Sequence, residues 1–317
     1  MDGSFGEWFS AFMRTTDELL NQINDRIATH ARDDLSTSID GLLLAKVVTT
    51  SEEPEYSLTE PLLVLMTQGG KRLLLGDQAF EYRRGQCLVV TADLPVTGHY
   101  IDITPGAPSL SLGVVLRPAA VAALLLQQST GRRRPPGPGP TAIATGRADD
   151  DLLDALARML QLLDRPADAP VLAPLIEQEI LWRLLTGPLG GTVRQIGLAD
   201  SDLAHITRAI SWIRDNYAAP MAVVELARLA GMSASTLHRR FRAVTAMSPL
   251  QFQKRIRLQH ARTLLLTRPG DIAGVGHSVG YDSPSQFTRE YRRLFGVPPG
   301  LHAAGMRADD HAEKTLV

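Results

Sequence analysis

The stretch that decides the fold is Met221–Thr245, MAVVELARLAGMSASTLHRRFRAVT. Its first part, MAVVELARLAG, reads as a short helix with Val224, Leu226, Ala227 and Leu229 as the apolar and small positions. Gly231 closes it, because glycine enters the left-handed region without a Cβ clash. Ser233 stands where the next helix needs a cap. In STLHRRFRAV, Leu237 and Phe241 lie four apart and face a core, which leaves Ser235, His238, Arg239 and Arg242 on other faces. A short helix, a tight glycine turn and a second helix with basic, polar outer positions form a helix-turn-helix pattern.

The pattern recurs fifty residues later. Asp271–Ser278 is a short helix, Gly280 closes it, and Ser283 caps PSQFTREYRRLFG, where Phe287 and Tyr291 repeat the Leu237/Phe241 spacing. Ser233 and Ser283 share their separation with Arg239 and Arg289. Between the two motifs, Pro249 suits a first helical turn. From there to Leu266 no breaker interrupts about 18 residues, or roughly 27 Å of helix. A rod of that length is commensurate with successive major-groove faces, about 34 Å apart. Lys254, Arg255, Arg257 and Arg262 make it basic.

Charge divides the 317 residues in the same place. Residues 1–200 hold 17 Lys plus Arg against 25 Asp plus Glu, residues 201–300 hold 14 against 6, and the last 17 hold 2 against 3. The near-neutral total of −1 therefore hides a basic third that fits a polyanion. No apolar run approaches the roughly 18 residues that span a bilayer, and the N-terminus does not read as a signal peptide. The single cysteine, Cys87, excludes an intramolecular disulfide and a thiolate zinc site, and it fits a reducing, cytoplasmic compartment.

Upstream, residues 7–31 show helical spacing through Trp8, Phe12, Leu19, Leu20, Ile23 and Ile27. Gly41–Thr49, Pro61–Thr67, Arg72–Leu75, Ala79–Tyr82, Gln86–Thr91, Val96–Ile103 and Ser109–Leu116 are strand-length runs separated by Gly, Pro and Asp turns. Short strands at close spacing predict an antiparallel barrel or jelly roll. Ala119–Ser129 reads as a helix, and GRRRPPGPGP at 131–140 as a solubilising loop whose arginines have phosphate contact as the rival reading. Asp149–Leu163 and Leu172–Thr186 are amphipathic helices that fit either core packing or a dimer seam. Helices are expected near 202–217, 221–229, 233–244, 249–266, 271–278 and 283–295, with a domain boundary around 190–200.

Residues 200–303 resemble the DNA-binding domain of the AraC/XylS family of bacterial transcription regulators. The resemblance rests on ELARLAGMSASTLHRRFRAVTAMSPLQF, QKRIRLQHARTLLL and IAGVGHSVGYDSPSQFTREYRRLFGVPP. Residues 37–195 resemble the AraC-type regulator N-terminus through QGGKRLLLGDQAFEY, LVVTADLPVTG and LIEQEILWRLLTGP. The implied fold is α+β. An N-terminal helix at 1–36 leads to a cupin-like antiparallel β-barrel at 37–130, the loop at 131–148 and a helical, dimerising segment at 149–195. An all-α DNA-binding domain at 200–303 and a tail at 304–317 complete it.

The implied function is sequence-specific binding of double-stranded DNA under the control of an effector or a dimer interface. The resemblance puts Ser235, His238 and Arg239 of the first recognition helix, and Pro284, Ser285, Gln286 and Arg289 of the second, at base edges. Arginine forks onto guanine and glutamine onto adenine. Arg242, Lys254, Arg257, Arg292 and Arg293 are the phosphate candidates. Two departures stand out. Gly274 and Gly276 lie inside a helix where each costs roughly 0.5–1 kcal/mol relative to Ala, and Pro284 removes a donor. Both make the second motif the less stable and less base-selective one.

Enzyme chemistry finds little support. A metal-binding cupin needs a His-x-His pair with further ligands, yet His99 is the sole histidine between His30 and His205. No HExxH, P-loop, dinucleotide fingerprint or Ser-His-Asp order appears, and neither metal nor cofactor is expected. A small molecule can still occupy the barrel, with Gln68, Tyr82, Cys87, His99 and Tyr100 as polar lining candidates. Cys87 is a sensor candidate, although a lone strand thiol is more often inert. The expected partners are DNA, a small-molecule effector and RNA polymerase, with the chain a monomer or homodimer and no membrane involved. The rivals are a cupin-type metal enzyme with a nucleic-acid-binding tail and a ligand-independent activator.

Overall fold

A computed structural model describes residues 14–49, 54–104, 106–127, 142–198 and 201–305. They fall into two units: residues up to 204 without 56–58, and residues from 205 onward together with 56–58.

The first unit opens with α1 (Thr16–His30). The Thr15 side chain accepts from the Glu18 N–H while the Glu18 carboxylate accepts from the Thr15 N–H, so two otherwise orphaned donors are satisfied together. Leu19, Leu20, Ile23 and Ile27 are its buried stripe; Trp8 and Phe12 lie outside the described residues. The chain continues through β1 (Leu42–Val47), β2 (Glu55–Leu58, whose residues 56–58 group with the second unit), β3 (Leu62–Gln68), β4 (Gly70–Leu75), β5 (Gln78–Arg83), β6 (Gln86–Val90), β7 (Pro95–Ile101) and β8 (Ser109–Val115). After α2 (Pro118–Gln127) and β9 (Ile143–Arg147) come three helices, α3 (Asp150–Gln161), α4 (Ala169–Thr186) and α5 (Gly190–Gly197).

The strands form two sheets, β1-β8-β3-β6-β9 and β2-β7-β4-β5. The β1–β8, β3–β8, β3–β6, β6–β9, β4–β5 and β4–β7 pairs are all antiparallel. The expected antiparallel architecture is therefore present, as two sheets and not as one closed barrel. The break lies at Gly69 (φ +74°), where β3 ends in one sheet and β4 begins in the other. The β3–β8 register slips just before it, between Met66 and Gln68.

One face of the larger sheet, including Leu63, Leu65, Val89, Leu110 and Leu112, shares a core with α1, α3 and α4. The α3 helix contributes Leu153, Leu156 and Leu160, and its first turn is capped by Asp149 accepting from Leu152 N–H. The α4 helix contributes Ile180, Leu181 and Leu184. Both helices thus pack into the core, while α4 keeps an outer stripe of exposed Val171, Leu175 and Trp182.

Three elements depart from the sequence-based expectation. The segment IATGR (β9) lies where the Pro/Gly/Arg loop is expected, and it has only one large apolar residue to mark it. Its order comes from β6, against which Ile143–Arg147 pair with Val90–Gln86. The loop at 131–140 lies outside the described residues. The strand EYSL (β2) is only four residues long, too short for its Tyr56/Leu58 alternation to mark it. The α5 helix occupies the glycines that read as a domain boundary, and a Cβ on Gly190 would fall inside the Leu185 carbonyl. Close approach to α4, not flexibility, is why glycine stands there.

The second unit comprises α6 (Asp202–Asp215), α7 (Val223–Leu229), α8 (Ala234–Thr245), α9 (Pro249–Thr267), α10 (Ile272–Ser278) and α11 (Pro284–Phe295), with helix again over 299–305. The rod α9 starts at a capping box of Ser248 and Gln251 with Pro249 in its first turn. Around it, Phe241 and Phe252 meet edge to face at 5.3 Å. On the other side Leu258, Ala261 and Leu265 of α9 pack with Val275, Val279, Phe287 and Tyr291.

That packing explains Gly276, which is buried beneath Phe287. A Cβ there would sit 2.9 Å from Phe287 Cδ1. Propensity alone favours Gly276→Ala by roughly 0.5–1 kcal/mol. The expected outcome is the opposite sign, a loss of about 1 kcal/mol or more read by urea melting, because α10 must move off α11. An increase in the melting midpoint would show that the interface has slack.

Candidate nucleic-acid interface

Helices α8 and α11 are each set by a cap. Ser233 Oγ accepts from the Thr236 N–H at 3.3 Å at the head of α8, and Ser283 Oγ accepts from the Gln286 N–H at 3.3 Å at the head of α11. The preceding turns pass through Gly231 (φ +68°) and Gly280 (φ +90°). On α8 the inward side holds Leu237, Phe241 and Val244, all buried, and the outward side holds exposed Ser235, His238, Arg239 and Arg242. Spacings of three and four residues put these four on one face. Val224 and Leu229, two of the apolar positions of α7, are exposed; Leu226 and Ala227 are its buried residues.

The outward face of α11 holds exposed Ser285, Arg289, Arg292 and Arg293, opposite buried Phe287 and Tyr291. Pro284 is also exposed, at the first turn, where its missing N–H removes no helical bond. Among the described residues, the side chains of Arg239, Arg242, Arg289 and Arg292 make no hydrogen bond or ion pair, and that of Arg293 lies within electrostatic range of Tyr281. Several arginines elsewhere are tied into ion pairs: Arg158 to Asp154 and Glu179, Arg183 to Asp151, Arg84 to Asp17. Helices α8 and α11 thus concentrate guanidinium groups on exposed faces, and a planar fork of that kind matches phosphate and guanine alike.

Several of the sequence-picked residues are engaged inside the protein. Lys254 Nζ donates to Glu290 Oε1 at 2.7 Å, Gln286 Nε2 donates to the same oxygen at 3.2 Å, and Tyr281 Oη donates to Glu290 Oε2 at 3.0 Å. Burial pushes the Glu290 carboxyl up, but the bonds from Lys254, Gln286 and Tyr281 outweigh it and hold the group below the usual glutamate range. Gln286 therefore has one amide proton already committed. Lys254 keeps 43% of its side-chain exposure, so its charge is shared and not sequestered.

Arg257 requires a correction. Its Nε donates to Tyr217 O at 2.6 Å, Nη1 to Gly280 O at 2.7 Å, and Nη2 to Ala218 O and Ala219 O at 3.2 and 3.0 Å. Its guanidinium also lies over the Tyr281 ring, 5.8 Å from the centroid. A fork spent on four carbonyls is a tie between α9, the α6–α7 connection and the second glycine turn, and it is not offered to phosphate. Neither Arg257 nor Glu290 is visible as a hub in sequence. The one available signal is an acid at Glu290, four residues after Gln286, within an otherwise basic helix.

Of the residues expected to line an effector pocket, Tyr82 lies within electrostatic range of both Tyr100 and Cys87, while His99 stands apart. Register places Tyr82 and Tyr100 on either side of Lys71 in one cross-strand row, while His99 lies opposite Arg72 in the next row. Successive strand residues point to opposite faces, so His99 faces away from the two tyrosines. Lys71 Nζ lies 4.1 Å from the Tyr100 ring centroid and donates to Glu55 at 2.8 Å. Gln68 Nε2 donates to Pro108 O at 2.8 Å. Cys87 is fully buried in the helix-facing core, where burial pushes its thiol up to about 12. A thiol that stays protonated and unreachable is a poor nucleophile.

Against known proteins, residues 38–192 match the model of the AraC-type transcriptional regulator N-terminus, and residues 226–302 match that of a helix-turn-helix domain. A putative AraC-like transcription regulator of Streptomyces lividans is 29% identical over 49% of this chain and 58% of its own length. The transcriptional activator RhaS of Salmonella arizonae is 25% identical over 48% of this chain and 55% of its own. The chain thus spans little more than half the length of these relatives. In fold, an apo form of ToxT from Vibrio cholerae aligns with a TM-score of 0.54 at 8% identity, covering 84% of this chain and 98% of its own. A ToxT structure with an unsaturated fatty acid bound gives the same score over 83% of this chain and 94% of its own. With one model matched on each side of residue 200 and relatives of a single kind, the chain belongs to the AraC family of transcription regulators, in the group with the AraC-type N-terminal domain.

Proposed function

We propose that this protein is a transcription regulator that reads a specific duplex through α8 and α11, and that its N-terminal unit binds an effector or a second copy of the chain. The observation that carries the reading is the pair of capped helices that hold Arg239, Arg242, Arg289, Arg292 and Arg293 on their exposed faces, set on a basic unit around a 19-residue rod. A regulator needs an input, and the fatty acid bound to ToxT is an example of a small molecule held by a protein of this fold. Work on DNA places the chain in the cytoplasm of a bacterial cell in this reading. Among the described residues no helix is long and apolar enough to cross a membrane, and no cluster of metal-binding side chains occurs.

In this reading Ser235, His238, Arg239, Ser285, Gln286 and Arg289 meet base edges. Arg242, Arg292 and Arg293 meet phosphates, and Lys254 joins them if Glu290 releases part of its charge. Arg239→Ala is expected to cost on the order of 1–3 kcal/mol on the cognate site and little on random duplex, measured by gel shift. Equal losses on both would remove Arg239 from base reading. Arg242→Ala should weaken all duplexes alike and lower the slope of log K against log salt by about one. An unchanged slope would assign Arg242 to solvent.

A further inference from the structure

A groove of about 360 Å³ lies in the first unit, away from every residue picked from sequence as effector lining. Its walls are the 38–42 segment entering β1, the end of β8, Met159 of α3 and the first turns of α4. Ile39, Leu42, Val114, Met159, Ala173 and Pro174 make most of it apolar. The charged groups are Arg117, Asp40 and Glu177. Arg117 donates from Nη1 to Glu177 Oε1 at 2.6 Å and from Nη2 to Asp40 Oδ2 at 2.7 Å. The two acids are unequal: the Glu177 side chain is 21% exposed and Asp40 is 98% exposed.

Gly41 keeps this fork in place. Its φ is +77°, and a Cβ there would stand 2.9 Å from Arg117 Nη2. The guanidinium therefore lies flat against the bare backbone at the groove mouth, next to the apolar walls. Nearby prolines at 166, 170 and 174 stiffen the opposite wall, so that the groove needs little ordering when it fills.

We propose that this groove is the effector site of the N-terminal unit and that it takes a compact apolar carboxylic acid, a proposal that rests on the effector reading above. The acid's carboxylate displaces Asp40 from Arg117 Nη2, and its apolar body lies on Leu42, Val114 and Met159. Glu177 stays on Nη1 and aims the fork. Asp40 is the group to yield because a fully hydrated carboxylate loses little when a surface pair opens. An ammonium cannot accept from the Arg117 fork, whereas a carboxylate that takes the place of Asp40 leaves the fork with two anionic partners, as before. A volume near the lower end of the roughly 300–1,000 Å³ range of ligand pockets excludes a long extended chain.

The test uses the full-length protein and three isosteric probes, 3-phenylpropanoate, 3-phenylpropanamide and 3-phenylpropylamine, with affinity measured by calorimetry and DNA binding by gel shift. The acid is expected to bind, the amide to bind about tenfold or more weakly, and the amine not at all. Arg117→Gln should weaken the acid about tenfold to a hundredfold while leaving the amide unchanged. Ala173→Trp, which fills the groove and leaves Arg117 intact, should abolish binding of both, with the melting temperature checking that the variant folds. No binding of the acid, tighter binding of the amine, or an acid affinity indifferent to Ala173→Trp would overturn the site. Binding that Ala173→Trp abolishes, combined with DNA affinity that the acid leaves unchanged, would keep the site and overturn the effector reading on which it rests.

Discussion

Gly280→Ala is expected to unfold the second helix-turn-helix while leaving the first unit intact. The backbone at Gly280 has φ +90°, where an L side chain is strained, and the added Cβ would fall inside the Ala218 carbonyl oxygen and 2.9 Å from Arg257 Cζ. Neither neighbour can retreat. Ala218 belongs to the α6–α7 connection and Arg257 is held by four carbonyls. Strain and overlap together should cost on the order of 3 kcal/mol or more, a large part of a domain's stability.

Gly231→Ala is the matched control. It sits at the equivalent turn of the first motif with φ +68°, but its Cβ would meet nothing nearer than His205 Nδ1 at 3.6 Å. Only the left-handed penalty of roughly 1–2 kcal/mol applies there. Hydrogen exchange of α10 and α11 against α7 and α8 reads the difference. Equal effects of the two substitutions would mean that the approach at Gly280 is not as tight as the geometry states.

Arg257→Met is expected to destabilise the second unit by about 3 kcal/mol in a urea melt, because four carbonyls lose a charged donor and none of them gains another. Arg257→Lys should recover only part of this, since an ammonium cannot reach the Tyr217, Ala218–Ala219 and Gly280 oxygens with one planar fork. The same variants separate the tie from the phosphate role expected of Arg257 in sequence. Below the melting transition, the salt slope of DNA binding should be that of the parent protein, whereas loss of a phosphate contact lowers it by about one. Normal stability with a reduced slope would reverse the assignment.

Much of the architecture is legible because it is written locally. The glycine turns at 231 and 280, the serine caps at 233 and 283, and the Leu237/Phe241 and Phe287/Tyr291 spacings each act within a few residues. Period and capping therefore place the helices of the second unit between α6 and α11 within a few residues of their positions in the structure. The outward arginines of α8 and α11 follow from the same periodicity. Strands with their own apolar alternation, such as LLVLMTQ and SLSLGVV, are equally plain.

Sequence by itself determined two capped recognition helices on a basic unit and a set of strands before them, since backbone propensity and side-chain period are properties of a segment alone. Tertiary structure decided the rest, because each such feature depends on an atom outside its own segment. Pairing with β6 makes IATGR a strand, and Phe287 makes Gly276 a requirement and not a weakness. The Tyr217–Ala219 and Gly280 carbonyls turn Arg257 inward, and β-sheet register sends His99 away from Tyr100. A hydrogen-bond partner or a steric limit supplied by another helix or strand leaves no mark on the local pattern, and only the folded chain brings the two together.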